Sequence, residues 1–399
     1  MNEYILTPRE EIYERLGKLR ERVREAGLGA AVVIQNADLF YFTGSMQQGL
    51  LVVPADGDPA YFVRRAFERA VGESCVASIV KIGGPNDVLS YYEKRGVSFG
   101  KVGFELDVLP VTSLERFRRI FPCAEIMDIS IPIREIRSVK SPFETDILKN
   151  CGKKLAALLD SAREKIHPGL TEMSLQGILQ GEAISMGHTG AATMRAFNQN
   201  VGIGHIISGE DSAAPSFSDT PTAGKGLCPY APSGHGYRAM QKNEPIIIDL
   251  VWSQGGCLVD MTRTYSIGKL PQKLEEAHQL SMEALRAIEA MIRPGAVAGD
   301  LYESGVAVAK RAGLAANFMG PPGYNVKFIG HGVGIELDEM PFIAKGVRTV
   351  LAPGMTFTLE PKFVFEGEGA VGIENTYLVT KDGFETLTPL SEDIIRCGE

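Results

Sequence analysis

The sequence predicts an α/β protein with two domains, the second of which consists of two matched halves. An amphipathic helix followed at once by a buried strand opens the chain, and a basic, proline-bounded segment near residue 135 precedes a longer helical pattern. The phrase Ile-x-Pro-Gly then occurs twice, beginning at Ile166 and at Ile292, 126 residues apart. Each copy follows a helical pattern and leads into strand-rich sequence, so the order of elements indicates a duplication. We expect ligands in the cleft between the two halves.

The first domain, residues 1–135, is predicted to be an α/β unit. Apolar residues recur at helical spacing over residues 10–26, with charged residues on the other face of the helix. Gly27 and Gly29 end this helix, and the apolar run 30–35 follows as a buried strand. The turn 56–58, Asp-Gly-Asp, separates the strand-like runs 50–54 and 60–63, which is typical of a β-hairpin.

Four acidic residues of the second domain, 136–399, lie in strand-like runs that normally exclude charge. In chain order they are Asp249, Asp260, Glu360 and Glu374. The long helical patterns 144–165 and 274–292 precede the two Ile-x-Pro-Gly phrases. Asp249 and Asp260 follow the first phrase, and Glu360 and Glu374 follow the second. Each half therefore offers one hairpin-like pair of carboxylates. A single buried acid is more often paired with a cation such as Arg263 or Lys362. Two matched pairs in two matched halves favour a metal centre instead.

One histidine completes this set because glycines frame it on both sides. His331 lies in the run Gly-His-Gly-Val-Gly, where the missing side chains let backbone or ligand approach closely. Four carboxylates and one imidazole suit divalent manganese, cobalt, zinc or iron, with manganese the first expectation. One ion seldom needs so many carboxylates, so the sequence predicts two ions that share bridging carboxylates.

These motifs resemble the creatinase/aminopeptidase P/prolidase superfamily of metallopeptidases, whose catalytic domain has the pita-bread fold. The resemblance covers nearly the whole chain and is carried by DMTRT at 260–264, GHGVG at 330–334, LEP at 359–361 and IENT at 373–376. It implies that Asp260 and Glu374 bridge the metals, that Asp249 binds one ion, and that His331 and Glu360 bind the other. Glu360 also matches the usual proton shuttle. The N-terminal motif YFTG at 41–44 resembles the creatinase-type accessory domain, which implies a homodimer.

The sequence departs from the family pattern at three positions of the substrate pocket. Ser216 and Asp338 stand where such enzymes usually have histidines that donate hydrogen bonds to substrate, and Gly372 stands where an arginine is usual. Residues that can take over substrate binding are Ser216, Asp338, Lys362 and His235. His235 lies in a glycine- and proline-rich loop, 220–236, where an ordinary loop histidine is the alternative interpretation.

Composition excludes several classes of function. Charged residues make up 23% and hydrophobic residues 44% of the 399 residues, so the chain is not disordered. The net charge of −8 lacks the basic footprint of a nucleic-acid-binding protein. No apolar run approaches the roughly 18 residues of a membrane helix, and the six cysteines show no C-x-x-C pair. We therefore expect a cytoplasmic protein that binds neither nucleic acid nor membrane.

Three functions are compatible with these observations. The first is a dinuclear-metal hydrolase, an Xaa-Pro aminopeptidase or dipeptidase that cleaves short peptides with a metal-bridging hydroxide and with Glu360 as proton carrier. The second is a reaction of a non-peptide small molecule on the same scaffold, such as creatinase-type C–N hydrolysis or a lyase reaction. The third is a non-catalytic metal-binding relative, against which the complete set of ligands argues.

Overall fold

The computed structural model describes residues 4–195 and 201–398, which divide into two units. The first unit ends at Arg137 and includes Arg195, and the second begins at Ser138 and includes the described residues from 201 onward. Among the helices in these ranges, none combines the length and apolarity that crossing a membrane requires.

The first unit contains a six-stranded mixed sheet in the order β4-β3-β2-β1-β5-β6. Its strands are β1 (Ala30–Val33), β2 (Gly49–Pro54), β3 (Ala60–Val63), β4 (Ser78–Lys81), β5 (Lys101–Phe104) and β6 (Glu125–Asp128). Its helices are α1 (Arg9–Glu25), α2 (Asn36–Thr43), α3 (Phe67–Glu73), α4 (Asn86–Glu93), α5 (Val111–Arg118) and α6 (Ser130–Ser138), the last of which ends in the second unit. The predicted opening helix and the β2–β3 hairpin are confirmed.

The strand predicted over residues 30–35 is shorter than expected, because a helix begins directly after it. Strand β1 ends at Val33, and α2 begins at Asn36. The side chain of Gln35 accepts a hydrogen bond from the backbone N–H of Asp38 and so caps α2. The motif YFTG therefore lies at the end of a helix, which stops at Gly44 in the left-handed conformation.

In the second unit, a pair of helices followed by a largely antiparallel sheet occurs twice. Its helices are α7 (Pro142–Ala162), α8 (Glu172–Ser185), α9 (Gln272–Glu289) and α10 (Ala298–Arg311). The two long predicted helices are confirmed as α7 and α9, with their ends shifted by two or three residues. Helix α7 begins at a capping box, in which Ser141 and Glu144 each bond the other's backbone N–H.

The strands of the second unit form two larger sheets and one hairpin. One sheet has the order β17-β9-β8-β7, the other has the order β11-β10-β12-β15-β16, and β13 pairs with β14. The strands are β7 (Gly204–Ser208), β8 (Pro245–Gln254), β9 (Cys257–Ile267), β10 (Phe328–Val333), β11 (Leu337–Ala344), β12 (Thr356–Leu359), β13 (Lys362–Phe365), β14 (Gly369–Gly372), β15 (Asn375–Val379), β16 (Phe384–Thr386) and β17 (Ile395–Cys397). The predicted duplication into two pseudo-symmetric halves is confirmed.

Each half of the second unit has its own hydrophobic core. Leu155 of α7 and Trp252 of β8 belong to the first core, and Leu285 of α9 and Phe357 of β12 belong to the second. The apolar face of each sheet is therefore covered by its own helix pair. The opposite faces are free to carry polar side chains.

Strand register places both carboxylates of the first half on one face of the sheet. Strands β8 and β9 pair antiparallel without interruption, with Asp249 opposite Thr262 and Val251 opposite Asp260. Residues that lie opposite each other, or two positions apart on one strand, share a face. Asp249 and Asp260 are therefore diagonal neighbours.

The second half presents its carboxylates at a break in a ladder. Strands β12 and β15 pair up to Leu359 and Asn375, and the same register resumes with Lys362 opposite Gly372 in β13–β14. Pro361, inside the break, has no N–H to donate to a ladder. Glu360 and Glu374 occupy the interrupted positions and face each other across the gap.

Candidate metal centre

The structure brings all five predicted metal ligands together within the second unit. His331 Nε2 lies 3.9 Å from both Glu360 Oε1 and Glu374 Oε1. Asp260, His331 and Glu374 each offer a ligand atom, and these three atoms lie within 4.8 Å of one another. A salt bridge to Lys362 links Asp249 to the other residues. Lys362 Nζ lies 3.1 Å from Asp249 Oδ2 and 3.5 Å from Glu374 Oε2.

The glycines around His331 are required by close contacts between strands. A Cβ atom on Gly330 would lie 1.9 Å from the backbone oxygen of Thr358, and one on Gly332 would lie 2.4 Å from that of Glu339. Neither position can hold a larger residue without moving the backbone. The glycine frame therefore sets His331 deep in the sheet, where its side chain is buried.

Two carboxylate oxygens in this cluster are buried and have no hydrogen-bond partner in the described parts of the chain. They are Asp260 Oδ1 and Glu374 Oε1, on the two residues that form a compact group with His331. A buried, unpaired carboxylate oxygen is costly unless a cation satisfies it. The donor set of two carboxylates and one imidazole therefore fits a divalent transition metal ion, with Glu360 at its edge.

The electrostatics of the same group show an excess of negative charge. Burial raises the pKa of Asp260 well above its usual value, and the neighbouring Glu374 and Asp249 raise it further. Burial also raises the pKa of Glu374 to about 7, against the opposing positive charge of Lys362. A cation bound at this group removes the excess and releases protons.

Threonine hydroxyls join the two halves at the level of the centre. The hydroxyl of Thr262 donates to Glu374 Oε2 at 2.7 Å. The hydroxyl of Thr376 accepts from the backbone N–H of Asp260 at 3.0 Å and donates to its C=O at 2.8 Å. The hydroxyl of Thr264 does the same with Gly372, at 3.1 and 2.7 Å. Each of these three hydroxyls thus bonds a group of the other half. This threonine seam holds the ligand-bearing backbone segments in place.

Lys362, predicted to bind substrate, lies instead among the candidate ligands. Its Nζ is 2.8 Å from Glu360 Oε2, and its side chain is fully buried. Burial disfavours the ammonium form, but Asp249 and Glu360 raise the pKa of Lys362 well above its usual value. The same ammonium lowers the pKa of Asp249 below its usual range despite the burial of that carboxylate. Lys362 therefore forms the salt bridge to the buried acids that the sequence analysis gave as the alternative to a metal.

Arg263, the other cation considered as a partner for the acids, is used elsewhere. Its guanidinium donates to the backbone oxygens of Ser391 and Glu374 and to Asn375 Oδ1. Its guanidinium thus bonds the backbone behind the centre, and within the described residues it donates to none of the four candidate carboxylates.

Asp338, also predicted to bind substrate, faces the candidate ligand His331. Asp338 Oδ1 lies 3.3 Å from His331 Nδ1, the ring nitrogen opposite the one that faces the carboxylates. Burial alone would lower the pKa of His331, but Asp338 and Glu360 raise it above its usual value. A carboxylate behind a ligand histidine fixes the ring and increases its basicity. This contact makes Asp338 a candidate for orienting His331.

The two remaining predicted substrate residues lie on loops. The hydroxyl of Ser216 donates to the backbone oxygen of Pro232 at 2.7 Å. Ser216 also lines a cavity of about 270 Å³, whose described lining residues include none of the five candidate ligands. His235 is half-buried, and its Nδ1 has no hydrogen-bond partner among the described residues. Both remain candidates for substrate binding.

Sequence reasoning missed His205 and the true position of Lys362. His205 lies opposite Asp249 in the β7–β8 pairing, with its Nε2 3.8 Å from Asp249 Oδ2. That pairing joins His205 to a residue 44 positions further along the chain, so no local pattern reveals it. For Lys362 a signal was available, because residues two positions apart in extended chain, such as Glu360 and Lys362, point the same way.

A duplicated α/β unit that buries a carboxylate–histidine centre defines a metal-dependent hydrolase. The chain belongs to metallopeptidase family M24, whose model matches residues 146–381. A model of the creatinase/prolidase N-terminal domain matches residues 15–139. The predicted family and the predicted fold are both confirmed.

Similar proteins span the whole chain. A probable dipeptidase, PepE, from Mycobacterium tuberculosis strain H37Rv is 27% identical over 96% of both chains. An Xaa-Pro dipeptidase from Pyrococcus furiosus is 25% identical and covers 96% of this chain and 99% of its own. The structure of an Xaa-Pro dipeptidase from Bacillus anthracis superposes with a TM-score of 0.82 at 23% identity, over 97% of this chain and 100% of that one. This structural likeness concerns the fold.

Proposed function

We propose that this metallopeptidase hydrolyses the amide bond of short peptides, with a preference for Xaa-Pro bonds. The observation that carries the proposal is the buried group of Asp260, His331 and Glu374, which fits a divalent ion beside Glu360. The names of the relatives support it, because full-length similarity extends to dipeptidases and Xaa-Pro dipeptidases. We expect manganese as the ion, with cobalt, zinc or iron as alternatives.

Asp260, His331 and Glu374 would hold the ion, which supplies a Lewis acid that polarises the scissile carbonyl and activates water. Thr262 and Asp338 keep two of these ligands oriented through Glu374 Oε2 and His331 Nδ1.

We assign the proton transfer to Glu360. Its Oε2 accepts a hydrogen bond from Lys362, and its Oε1 faces His331 at 3.9 Å. In the reaction, the water oxygen bonds to the carbonyl carbon and the carbon–nitrogen bond breaks. Glu360 takes the proton that the water loses and passes it to the leaving nitrogen. Lys362 holds the carboxylate in one orientation while this happens.

A panel of small peptides tests this function. Purified protein loaded with Mn²⁺ is incubated with Ala-Pro, Ala-Ala and Ala-Pro-Ala, and released amino acids are quantified. We expect cleavage of Ala-Pro, and loss of that activity in a Glu360→Gln variant that still binds metal. Metal-loaded protein that cleaves none of these peptides contradicts the proposal.

A second candidate function is hydrolysis or elimination on a non-peptide small molecule. It is favoured by the substituted pocket, because Asp338 is engaged with His331 and Ser216 with Pro232. With these contacts in place, the two positions offer a peptide carbonyl fewer hydrogen-bond donors than two histidines would. Metal binding without peptidase activity, followed by turnover of a guanidino acid such as creatine, supports this candidate over the first.

We also infer a homodimer, on the resemblance of the N-terminal unit to the creatinase-type accessory domain. Light scattering at micromolar concentration should give twice the mass of one chain, and a monomer mass contradicts it. The cytoplasmic location expected from composition stays a prediction, which cell fractionation checks.

A further inference from the structure

The ammonium of Lys362 occupies a fixed position inside the carboxylate centre. Lys362 lies on β13 directly opposite Gly372 of β14. A Cβ atom on Gly372 would lie 2.6 Å from Lys362 Cγ, so the stem of the lysine fills the space that a side chain would need. With no exposed surface, the ammonium has no route into solvent that leaves this packing intact.

Three carboxylates surround this ammonium. Its Nζ lies 2.8 Å from Glu360 Oε2, 3.1 Å from Asp249 Oδ2 and 3.5 Å from Glu374 Oε2. An ammonium has three N–H donors, and three carboxylate oxygens are within reach of them. The hydrogen-bonding capacity of Lys362 is therefore used within the cluster.

The other end of the cluster carries the unsatisfied oxygens. Asp260 Oδ1 and Glu374 Oε1 have no hydrogen-bond partner among the described residues, and both flank His331. Asp249 is not a member of the compact group that these residues form. The centre thus contains one cation supplied by the chain and one group that lacks a cation.

We propose that the ammonium of Lys362 takes the place of a second metal ion, so that the centre binds one divalent ion per chain. This inference rests on the proposed metal-dependent function and specifies its centre. Four carboxylates then face three positive charges, two from the ion and one from Lys362. A second divalent ion on Asp249 would lie within a few ångströms of the ammonium and repel it.

The exchange of an ion for an ammonium changes what this end of the centre can do. An ammonium donates hydrogen bonds and offers a positive charge, but it has no open coordination position for water or a carbonyl oxygen. Lys362 therefore orients Asp249 and Glu360, and Asp260, His331 and Glu374 would hold the one ion, which would supply the Lewis acid. Gly372 belongs to this arrangement, because its missing side chain gives the lysine room.

The number of bound ions tests the proposal. Wild-type protein and the variants Lys362→Met and Lys362→Ala are dialysed against Mn²⁺ at neutral pH, and the metal per chain is measured by elemental analysis. We expect one ion in the wild type and two in both variants, because each removes the ammonium. Lys381→Met, which changes an exposed lysine of the same unit, should bind one ion.

Each other outcome has a definite meaning. Two ions in the wild type overturn the proposal and leave the metal-dependent function standing. One ion in the wild type and in both Lys362 variants also overturns it, because the lysine then does not exclude the second ion. A wild type that binds no ion overturns the proposed function together with this inference.

A matched pair of variants decides the question if the Lys362 variants fail to fold. Asp249→Asn and Asp260→Asn make the same change on neighbouring strands, and Mn²⁺ affinity is measured by calorimetry. We expect Asp249→Asn to change the affinity by less than about 3-fold and Asp260→Asn to lower it by more than about 100-fold. Equal losses in the two variants contradict the proposal, because Asp249 would then be a ligand.

Discussion

The two ends of the carboxylate centre differ in how their negative charge is balanced. At one end, Asp249 and Glu360 hold the buried ammonium of Lys362. At the other end, Asp260 and Glu374 lie beside His331, and each has one carboxylate oxygen without a partner among residues 4–195 and 201–398. Buried carboxylates therefore do not by themselves indicate a metal site, and what distinguishes this end is a pair of such oxygens beside a histidine.

The ends also differ in the backbone that carries them. Asp249 and Asp260 lie inside an uninterrupted antiparallel ladder, whereas Glu360 and Glu374 lie where a ladder is broken before Pro361. The break frees the second pair from regular cross-strand bonding, and Glu374 N–H bonds instead to the backbone oxygen of Thr262 in the first half. The four predictions below alter one end at a time, in order of decreasing effect.

Replacing the histidine should have the largest effect. His331→Ala removes the only nitrogen ligand of the compact group, so we expect the ion to be lost and peptidase activity to fall by about 10⁴-fold. Elemental analysis and turnover of Ala-Pro measure the two effects. His188→Ala, a buried histidine that bonds the backbone oxygen of Val251, is the control and should retain the ion. Full metal content in His331→Ala would contradict the assignment.

Glu360→Gln should lower turnover by about 10³-fold while at least one ion stays bound, because an amide cannot accept and pass on the proton. The substitution keeps the size of the side chain and an oxygen that can accept from Lys362. Steady-state kinetics and metal content are measured on the same preparation. Turnover within a few-fold of wild type removes Glu360 from the mechanism.

Gly372→Ala should destabilise the Lys362 end by about 2 kcal/mol, because the new methyl group overlaps the stem of the lysine and backbone atoms near Pro361. Denaturant unfolding measures this loss. Gly181→Ala is the control, since no atom lies within 4 Å of the added Cβ and alanine favours the helix α8. Equal stability of both variants would contradict the prediction, because β13 and β14 would then accommodate the methyl group at no cost in free energy.

Asp338→Asn should have the smallest effect, a loss of about 10-fold in Mn²⁺ affinity, because the charge behind His331 is removed. Asparagine suits this position, where φ is +60°, since its short polar side chain tolerates left-handed backbone. Calorimetry measures the affinity, and Asp382→Asn, an exposed acid of the same unit, should leave it unchanged. An unchanged affinity in Asp338→Asn places the residue outside the centre.

The sequence was sufficient to predict the fold and to propose the residues of the candidate centre, because both show in local patterns. An aspartate after three isoleucines, as at Asp249, and a histidine between glycines, as at His331, are visible without any pairing information. The partners of these residues depend on long-range register. His205 reaches Asp249 through the β7–β8 pairing, and Asp338 reaches His331 where the β10–β11 register shifts. Neither contact follows from a local period.

The threonine seam has a consequence for how the protein responds to substrate. Threonine hydroxyls of one half bond backbone N–H and C=O groups of the other half beside the candidate ligands. Thr376 bonds Asp260 in this way, and Thr264 bonds Gly372. Sliding or opening of the halves would break all of these bonds at once. We therefore expect the spacing of the candidate ligands to stay the same when different substrates bind.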